Sequence, residues 1–421
     1  MQKFLIKRSK FGFIKRNKQF TQLTSINLFS KIGDRLFYTT MLTLAAALPQ
    51  ANIAVMIISI SETVPILMGI ILGNLADKQP RKFRGMIQSS LTRALLYLSI
   101  GLLLNYRSTL SLIVIIATLN FISDLFGNYS SALSAPFTKI LVSADDMTQA
   151  QGLVSITSQL VNVLATLGGS LLLTIFLAKT IAVINAGVFL LVSVFFGLLS
   201  THFATTENKI IDHTSKRPVW RLVVENLQTL VTNKKALNDL CQLALINGFF
   251  GGITPIFVLF LQKTKVIIFS RAITISLLSS LITLGLIIGS ALSLKVWRNI
   301  TTHVLCCYAN LLIVVTSLGF ILNQLYIILL GSSLTALLLG IVSPRFSTMI
   351  INHYPAERLG GIVTTVNSLL VLTPPLTSFI FPVLANFGLT FSYYCLGVYG
   401  LMLLSLSYLI LHRQTNSTTL N

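Results

Sequence analysis

The sequence predicts an all-α membrane protein that crosses the bilayer many times, and three observations support this fold class. Of its 421 residues, 54% are hydrophobic and only 10% are charged. A soluble domain usually carries about a quarter charged residues, so the composition excludes a water-soluble globular protein. Apolar runs of about 20 residues, the length of a spanning helix, recur from residue 21 onward. A transmembrane β-barrel would instead show short alternating segments, whereas 281–294 and 325–342 are continuously apolar.

The apolar runs predict twelve transmembrane helices in two six-helix bundles. The predicted spans lie near residues 21–48, 51–74, 85–104, 109–135, 150–177, 181–203, 240–261, 270–294, 301–322, 325–343, 360–384 and 388–411. The expected organisation is a basic cytoplasmic arm (1–20), an N-terminal bundle (21–204), a polar cytoplasmic linker (205–239), a C-terminal bundle (240–411) and a cytoplasmic tail (412–421).

The distribution of charge predicts that both termini lie in the cytoplasm. The chain carries 31 Lys and Arg against 11 Asp and Glu. Most of the positive charges fall in the 1–20 arm, in the 205–239 stretch and in loops on the same side of the predicted bundles. By the positive-inside rule this side is cytoplasmic. Because the basic excess sets orientation, we expect no nucleic-acid partner.

Several signatures of catalysis are absent from the sequence. No Gly-x-x-x-x-Gly-Lys-Ser/Thr phosphate loop, His-Glu-x-x-His zinc motif or Gly-x-Ser-x-Gly elbow occurs. The four cysteines lie in apolar stretches without ligand spacing, and we interpret them as packing residues. The sequence therefore predicts a protein that is not an enzyme and that has neither a cofactor nor a metal site.

The segment from Gly73 to Lys82 carries the most specific motif. It reads Gly-Asn-Leu-Ala-Asp-Lys-Gln-Pro-Arg-Lys at the end of the second predicted span. It resembles the loop signature of the major facilitator superfamily, Gly-x-Leu-Ala-Asp-Arg-x-Gly-Arg-Lys, with Pro80 where that family usually has Gly. The resemblance implies an inner gate in which Gly73 lets two helices approach, Asp77 accepts hydrogen bonds from a helix amino end, and Arg81 and Lys82 pair locally.

Weaker similarities point to one branch of that superfamily, the proton-driven drug exporters of the macrolide-efflux type. They lie at residues 30–37, 136–152 and 354–360, and the fifth span has the Gly168-Gly169 pair without the proline that antiporters often carry. The resemblance implies multidrug efflux, with a lipophilic or amphipathic substrate exchanged for protons by alternating access. It also implies a monomer in the plasma membrane of a bacterium, with membrane lipid as its other partner.

Ionisable residues inside the predicted spans of the N-terminal bundle are candidates for proton coupling. Asp34, Glu62 and Asp124 each fall near the middle of a span. Charged groups in hydrocarbon are costly, so they usually face a partner or a polar cavity. We expect these carboxylates to carry protons, with Arg35 and Arg93 as counter-charges.

The sequence leaves alternatives to this function open. The substrate could be a dedicated lipid, peptide or metabolite, or the chain could be a non-transporting membrane sensor or immunity partner. The intramembrane charges could be structural ion pairs that join helices: Asp34 with Lys31 or Arg35, and Asp124 with Arg93.

Aromatic and methionine side chains are the expected wall of a substrate cavity, because they adapt to varied lipophilic ligands. Packing within the bundle or contact with lipid is the alternative interpretation for each of them. The candidates are Phe37, Tyr38, Met41 and Met68 in the first two spans and Phe249, Phe250 and Phe257 in the seventh.

Overall fold

The computed structural model describes residues 10–46, 48–107, 109–211, 218–264, 271–293, 300–385 and 387–418. Within these residues the regular structure is entirely helical, with two 3₁₀ turns at Ala144–Asp146 and Ala356–Arg358. The helices are α1 (Lys10–Arg16), α2 (Lys18–Ala46), α3 (Ala51–Leu67), α4 (Gly69–Asp77), α5 (Lys82–Leu103), α6 (Leu110–Leu141), α7 (Met147–Ile175), α8 (Ala178–Ile211), α9 (Val219–Thr232), α10 (Lys234–Lys263), α11 (Arg271–Leu292), α12 (Thr302–Ile321), α13 (Leu325–His353), α14 (Leu359–Ala385) and α15 (Leu389–Thr418).

The predicted all-α membrane fold is confirmed, since each predicted span coincides with a helix or, for the second span, with the pair α3–α4. Among the described residues, eight helices are long and apolar enough to cross a membrane. The pair α3–α4 makes a ninth candidate, bent by 47° at Met68. Pro65 lies just before this bend, where its missing N–H and its ring weaken the helix.

The segment predicted as a polar linker, 205–239, is more helical than expected. The helix α8 continues to Ile211, α9 spans Val219–Thr232, and α10 already begins at Lys234. Residues 1–9, 212–217 and 419–421, parts of the predicted arm, linker and tail, lie outside the described residues.

The chain divides into two compact units that do not follow the predicted boundary exactly. Unit 1 comprises residues 1–147, 160–228 and 351–368, and unit 2 comprises 148–159, 229–350 and 369–421. The first turns of α14 therefore belong to unit 1 although they come late in the sequence. This placement brings residues 351–368 next to the Gly73–Lys82 motif.

The core of unit 1 is built mainly from α2, α5, α6 and α8. One aromatic group joins Tyr97 to Phe37, with ring centroids 4.9 Å apart, and to Phe189, with stacked rings 5.3 Å apart. A second group packs Phe83 between Phe137 and Phe203. These fully buried rings fix the helices that carry the charged residues described below.

Unit 2 has its core between α10, α12 and α15. Phe260 and Phe320 pack edge to face, with centroids 5.5 Å apart. Polar contacts join α14 to α10, where the hydroxyl of Thr377 donates to the carbonyl of Gly248 at 2.6 Å. The hydroxyl of Tyr399 on α15 donates to the carbonyl of Leu245 at 2.6 Å. Lipid tails are as apolar as the side chains, so the hydrophobic effect does not drive transmembrane helices together. Hydrogen bonds between helices contribute to their association instead.

Candidate functional site

Arg93 on α5 is a deeply buried charge in unit 1, with 2% of its surface exposed. Its guanidinium forms an ion pair with Asp34 on α2. It also donates to the hydroxyls of Ser123, at 3.1 Å, and Ser30, at 2.9 Å, and its Cζ lies 3.9 Å from the ring centre of Phe189. The fixed fork of donors and the aromatic contact match the properties of Arg rather than Lys.

A second ion pair joins α2 to α3. The guanidinium of Arg35 contacts the carboxylate of Glu62, which also accepts a hydrogen bond from Tyr38. The ring of Tyr38 lies 5.9 Å from Arg35 Cζ. Asp34 and Arg35 are consecutive in the chain, but Asp34 contacts α5 and Arg35 contacts α3.

Asp124 on α6 makes no ion pair with a described residue. One of its carboxylate oxygens accepts a hydrogen bond from the amide of Asn120 at 2.9 Å. The amide oxygen of Asn120 in turn accepts from the hydroxyl of Tyr97 at 2.9 Å. Asp124 lies within electrostatic reach of both ion pairs, so the three carboxylates expected at similar depth form one charged cluster in unit 1.

The structure pairs these charges differently from the ion pairs considered from the sequence. Asp34 contacts Arg93 rather than its neighbour Arg35, and Asp124 is held by an amide rather than by Arg93. Among the described residues, no group of three or more His, Cys, Asp or Glu could hold a metal ion.

Asp77 lies where the Gly73–Lys82 motif meets the amino end of α14. Its two carboxylate oxygens accept hydrogen bonds from the backbone N–H of Gly360, at 2.9 Å, and of Gly361, at 2.7 Å. These N–H groups have no acceptor within the helix, and the helix dipole favours a negative charge there. A Cβ on Gly73 would overlap the hydroxyl of Thr364, so only glycine permits this approach of α4 to α14.

Lys82 closes the loop of the motif locally. Its ammonium group, which is fully buried, donates to the carbonyls of Ala76, at 3.0 Å, and Gln79, at 3.4 Å. It thereby binds the carboxyl end of α4, where positive charge is favourable. Arg81 was expected to pair in the same way, but its side chain is exposed and forms no ion pair with a described residue.

Four of the residues expected to line a substrate cavity lie instead in the packed cores of the two units. Each has 0% of its surface exposed, so it presents no surface to a ligand in this structure; these residues are Phe37, Met41, Phe249 and Phe257. Their aromatic and apolar neighbours explain this burial. The other three candidates, Tyr38, Met68 and Phe250, are partly exposed.

Two polar contacts were not anticipated from the sequence. In unit 2, His303 Nδ1 lies 3.4 Å from Asp239 Oδ1. Both side chains are buried, with 4% and 5% of their surfaces exposed. In unit 1, Asn226 of α9 donates to Asn74 of α4 at 2.8 Å. The helical spacing of apolar residues around Asn226 was a usable signal for α9, but nothing in the sequence pairs Asp239 with His303.

A family model described as the Major Facilitator Superfamily matches residues 23–369, which is most of the chain. The chain belongs to the Major Facilitator Superfamily. No curated protein sequence matches it. The family assignment agrees with the helical membrane fold.

Solved structures of other superfamily members share this fold. A bacterial homologue of the iron transporter ferroportin, in an outward-facing state with soaked iron, superposes with a TM-score of 0.70 at 13% identity, over 92% of this chain and 98% of the other. The human organic anion transporter MFSD10 (TETRAN) gives a TM-score of 0.65 at 14% identity, over 92% and 99%. The proton:xylose symporter XylE gives 0.62 at 13% identity, over 92% and 95%. At this identity the likeness shows the fold alone.

Proposed function

We propose that this superfamily transporter exports lipophilic or amphipathic compounds from the cytoplasm and takes up protons in exchange, by alternating access. Membership of the superfamily supports a multi-pass carrier of a small substrate. The efflux direction, the bacterial plasma membrane and the cytoplasmic termini rest on the motif resemblance and on the charge distribution. The fold alone would serve import or export of many substrates.

The charged cluster in unit 1 is the observation that supports proton coupling. Asp34 and Glu62 each contact a guanidinium, whereas within the described part of the chain the side chain of Asp124 contacts the amide of Asn120 and no cation. An ionised carboxylate without a cation is costly at membrane depth, and uptake of a proton removes this cost. Asp124 is therefore our first candidate for the proton carrier, and both ion pairs lie within its electrostatic reach.

Each unit has partly exposed candidates for contact with a lipophilic substrate, Tyr38 and Met68 in unit 1 and Phe250 in unit 2. Tyr38 lies beside the ion pair of Arg35 with Glu62. A ligand that contacts the ring of Tyr38 would therefore also interact electrostatically with these two charged groups. Met68 lies at the bend between α3 and α4, and Phe250 packs against Phe249 with centroids 5.1 Å apart. Aromatic and thioether groups bind apolar ligands without demanding one shape.

Transport in inside-out vesicles tests this function. The vesicles are energised with a proton gradient, and uptake of ethidium, a lipophilic cation, and of Nile red, a neutral dye, is followed by fluorescence. Parent protein is compared with Asp124→Asn, which mimics the protonated acid in shape. Asp145→Asn is the matched control, because Asp145 is exposed in the 3₁₀ turn after α6.

We expect gradient-dependent uptake by the parent and by Asp145→Asn, and its loss in folded Asp124→Asn. Unchanged gradient-dependent uptake in folded Asp124→Asn would remove Asp124 from the coupling mechanism. If the folded parent moves neither dye, the multidrug proposal fails and a dedicated lipid, peptide or metabolite becomes the leading substrate class.

A further inference from the structure

The helix α9, which follows the predicted six-helix bundle, is amphipathic and packs one face against unit 1. Leu222 and Val223 are buried, and Asn226 lies one turn further along the same face. Trp220, on the other face, has 74% of its surface exposed. A polar residue within the buried face of an amphipathic helix requires a hydrogen-bond partner.

The partner of Asn226 is Asn74 in the Gly73–Lys82 motif. Asn226 Nδ2 donates to Asn74 Oδ1 at 2.8 Å, and both side chains are almost completely buried. Asn74 in turn donates to the carbonyl of Ile70, at 2.7 Å, within its own helix. Asn74 lies one turn before Asp77 on α4, so α9 binds the same face of α4 that meets α14.

The amide of Asn226 also lies against the first turn of α14. A Cβ built on Gly361 would lie 2.5 Å from Asn226 Nδ2, 2.8 Å from Asn74 Oδ1 and 2.9 Å from Asp77 Oδ2. Gly361 is thus surrounded by one polar atom from α9 and two from α4. The three helices meet at this single glycine.

A second contact joins α9 to the turn before α14. Glu225 lies 3.6 Å from Arg358 Nη2, and it also lies 3.4 Å from Arg221 Nε on its own helix. Arg358 ends the 3₁₀ turn Ala356–Arg358, directly before α14 begins. Consecutive residues of α9 therefore contact α4 through Asn226 and the start of α14 through Glu225.

We propose that α9 is a third component of the inner gate, in which Asn226 and Glu225 are positioning residues that hold the start of α14 against Asp77. Because α9 contacts both α4 and the turn before α14, separation of α14 from α4 must break at least one of these contacts. The contacts of α9 therefore favour the closed gate. The inference rests on the proposed transporter function with an inner gate, but not on proton coupling or on the identity of the substrate.

The test measures how often α14 separates from α4. Ser368 on α14 has 2% of its surface exposed and donates to the carbonyl of Ile66 at 2.7 Å, so a thiol at this position becomes reactive only when the contact opens. Ser368→Cys is introduced after the native cysteines have been replaced by Ala. The rate of reaction with a membrane-impermeant maleimide is measured in inside-out vesicles, without dye or proton gradient.

Asn226→Ala and Asn74→Ala should each increase the labelling rate about fivefold, as expected for the loss of one net hydrogen bond. The double variant should exceed neither single variant, because both remove the same contact. Asp77→Asn is the positive control. Trp220→Ala is the matched control on α9 and should leave the rate unchanged.

Glu225→Gln provides a second variant in case Asn226→Ala does not fold, because the Glu225 side chain is 20% exposed and its replacement is milder. It should also raise the labelling rate. Unchanged rates in the folded variants of Asn226 and Glu225 would overturn the role of α9. An unchanged rate in Asp77→Asn would overturn it as well, since there would be no gate at this contact. Neither outcome depends on dye transport.

Discussion

Gly73→Ala tests whether the close approach of α4 to α14 is a gating contact. A Cβ at this position would overlap the hydroxyl of Thr364, and it would lie 2.5 Å from the carbonyl oxygen of Gly360 and 2.9 Å from the Cα of Gly361. A hydroxyl can rotate away, but the other two atoms belong to the backbone of α14. The methyl group can therefore be accommodated only if the two helices move apart.

The expected magnitude follows from this overlap. Inserting a methyl group into a well-packed contact costs about 1–3 kcal/mol. The cost arises only while α14 lies against α4, so it destabilises the closed gate relative to the open one. Because 1.4 kcal/mol is about a tenfold change in an equilibrium constant, the open fraction should rise about five- to 150-fold while it remains small.

Gly197→Ala in α8 is the matched control, because a Cβ there meets no atom within 4 Å. Alanine is favoured over glycine in a helix by up to about 1 kcal/mol in either position, and this preference is the same with the gate open or closed. Gly197→Ala should therefore leave the gate unaffected and slightly increase the free energy of unfolding.

The assay is the maleimide labelling of Ser368→Cys in inside-out vesicles. Gly73→Ala should accelerate labelling by the factor given above, and Gly197→Ala should not change it. Equal labelling rates in the parent and in folded Gly73→Ala would refute the reasoning, because they would show that separation of α4 from α14 does not control access to this side of the protein.

Two further substitutions test the polar contacts between helices. Arg93→Lys keeps the charge beside Asp34 but loses the planar contact with Phe189, so we expect a protein that folds with a lower free energy of unfolding and transports more slowly; unchanged stability in mixed micelles would contradict the structural importance of the guanidinium. Asn310→Ala removes the buried hydrogen bonds that its amide donates to the hydroxyl of Ser407, at 2.7 Å, and to the carbonyl of Leu403, at 3.1 Å. Because hydrogen bonds between helices in membranes contribute about 0.6 kcal/mol on average and at most about 1.7 kcal/mol each, the substitution should lower the free energy of unfolding by about 1 kcal/mol. A stability equal to that of the parent would show that Ser407 finds another partner.

The helical fold could be predicted from composition because a bilayer leaves the backbone few choices. Each N–H and C=O group in hydrocarbon must be paired within its own segment or in a closed barrel, and long continuous apolar runs exclude the barrel. The bend at Met68 was missed because the apolar run continues through it without a polar residue. A proline three residues earlier was the available signal.

The helix α9 was not predicted because it lies in a stretch that is polar overall. Its buried face contains few apolar residues, among them Leu222, Val223 and Leu230. Their spacing is helical, but the neighbouring charges are typical of a linker. The partner of Asn226 could not be predicted at all, because the sequence does not show which helix lies beside α9.

The partners in the ion pairs could be predicted from the sequence only in part. Consecutive residues of a helix point about 100° apart, so Asp34 and Arg35 cannot face one another. That geometry excludes one of the pairings considered from the sequence. It does not identify Arg93 and Glu62 as the actual partners, since the order of helices around the bundle is a property of the fold rather than of spacing along the chain.

The different partners of the carboxylates decide which substitution is informative about coupling. Replacing Asp34 by Asn would leave the guanidinium of Arg93, with 2% exposure, without its anion, and breaking a buried pair in this way is strongly destabilising. Loss of transport in Asp34→Asn could therefore result from a destabilised fold as readily as from the loss of proton coupling. Asp124 forms no ion pair with any residue in the described ranges, so Asp124→Asn removes no ion-pair partner from a cation there and retains an acceptor for Asn120. A transport defect in folded Asp124→Asn consequently identifies the proton carrier, whereas the same defect in Asp34→Asn does not.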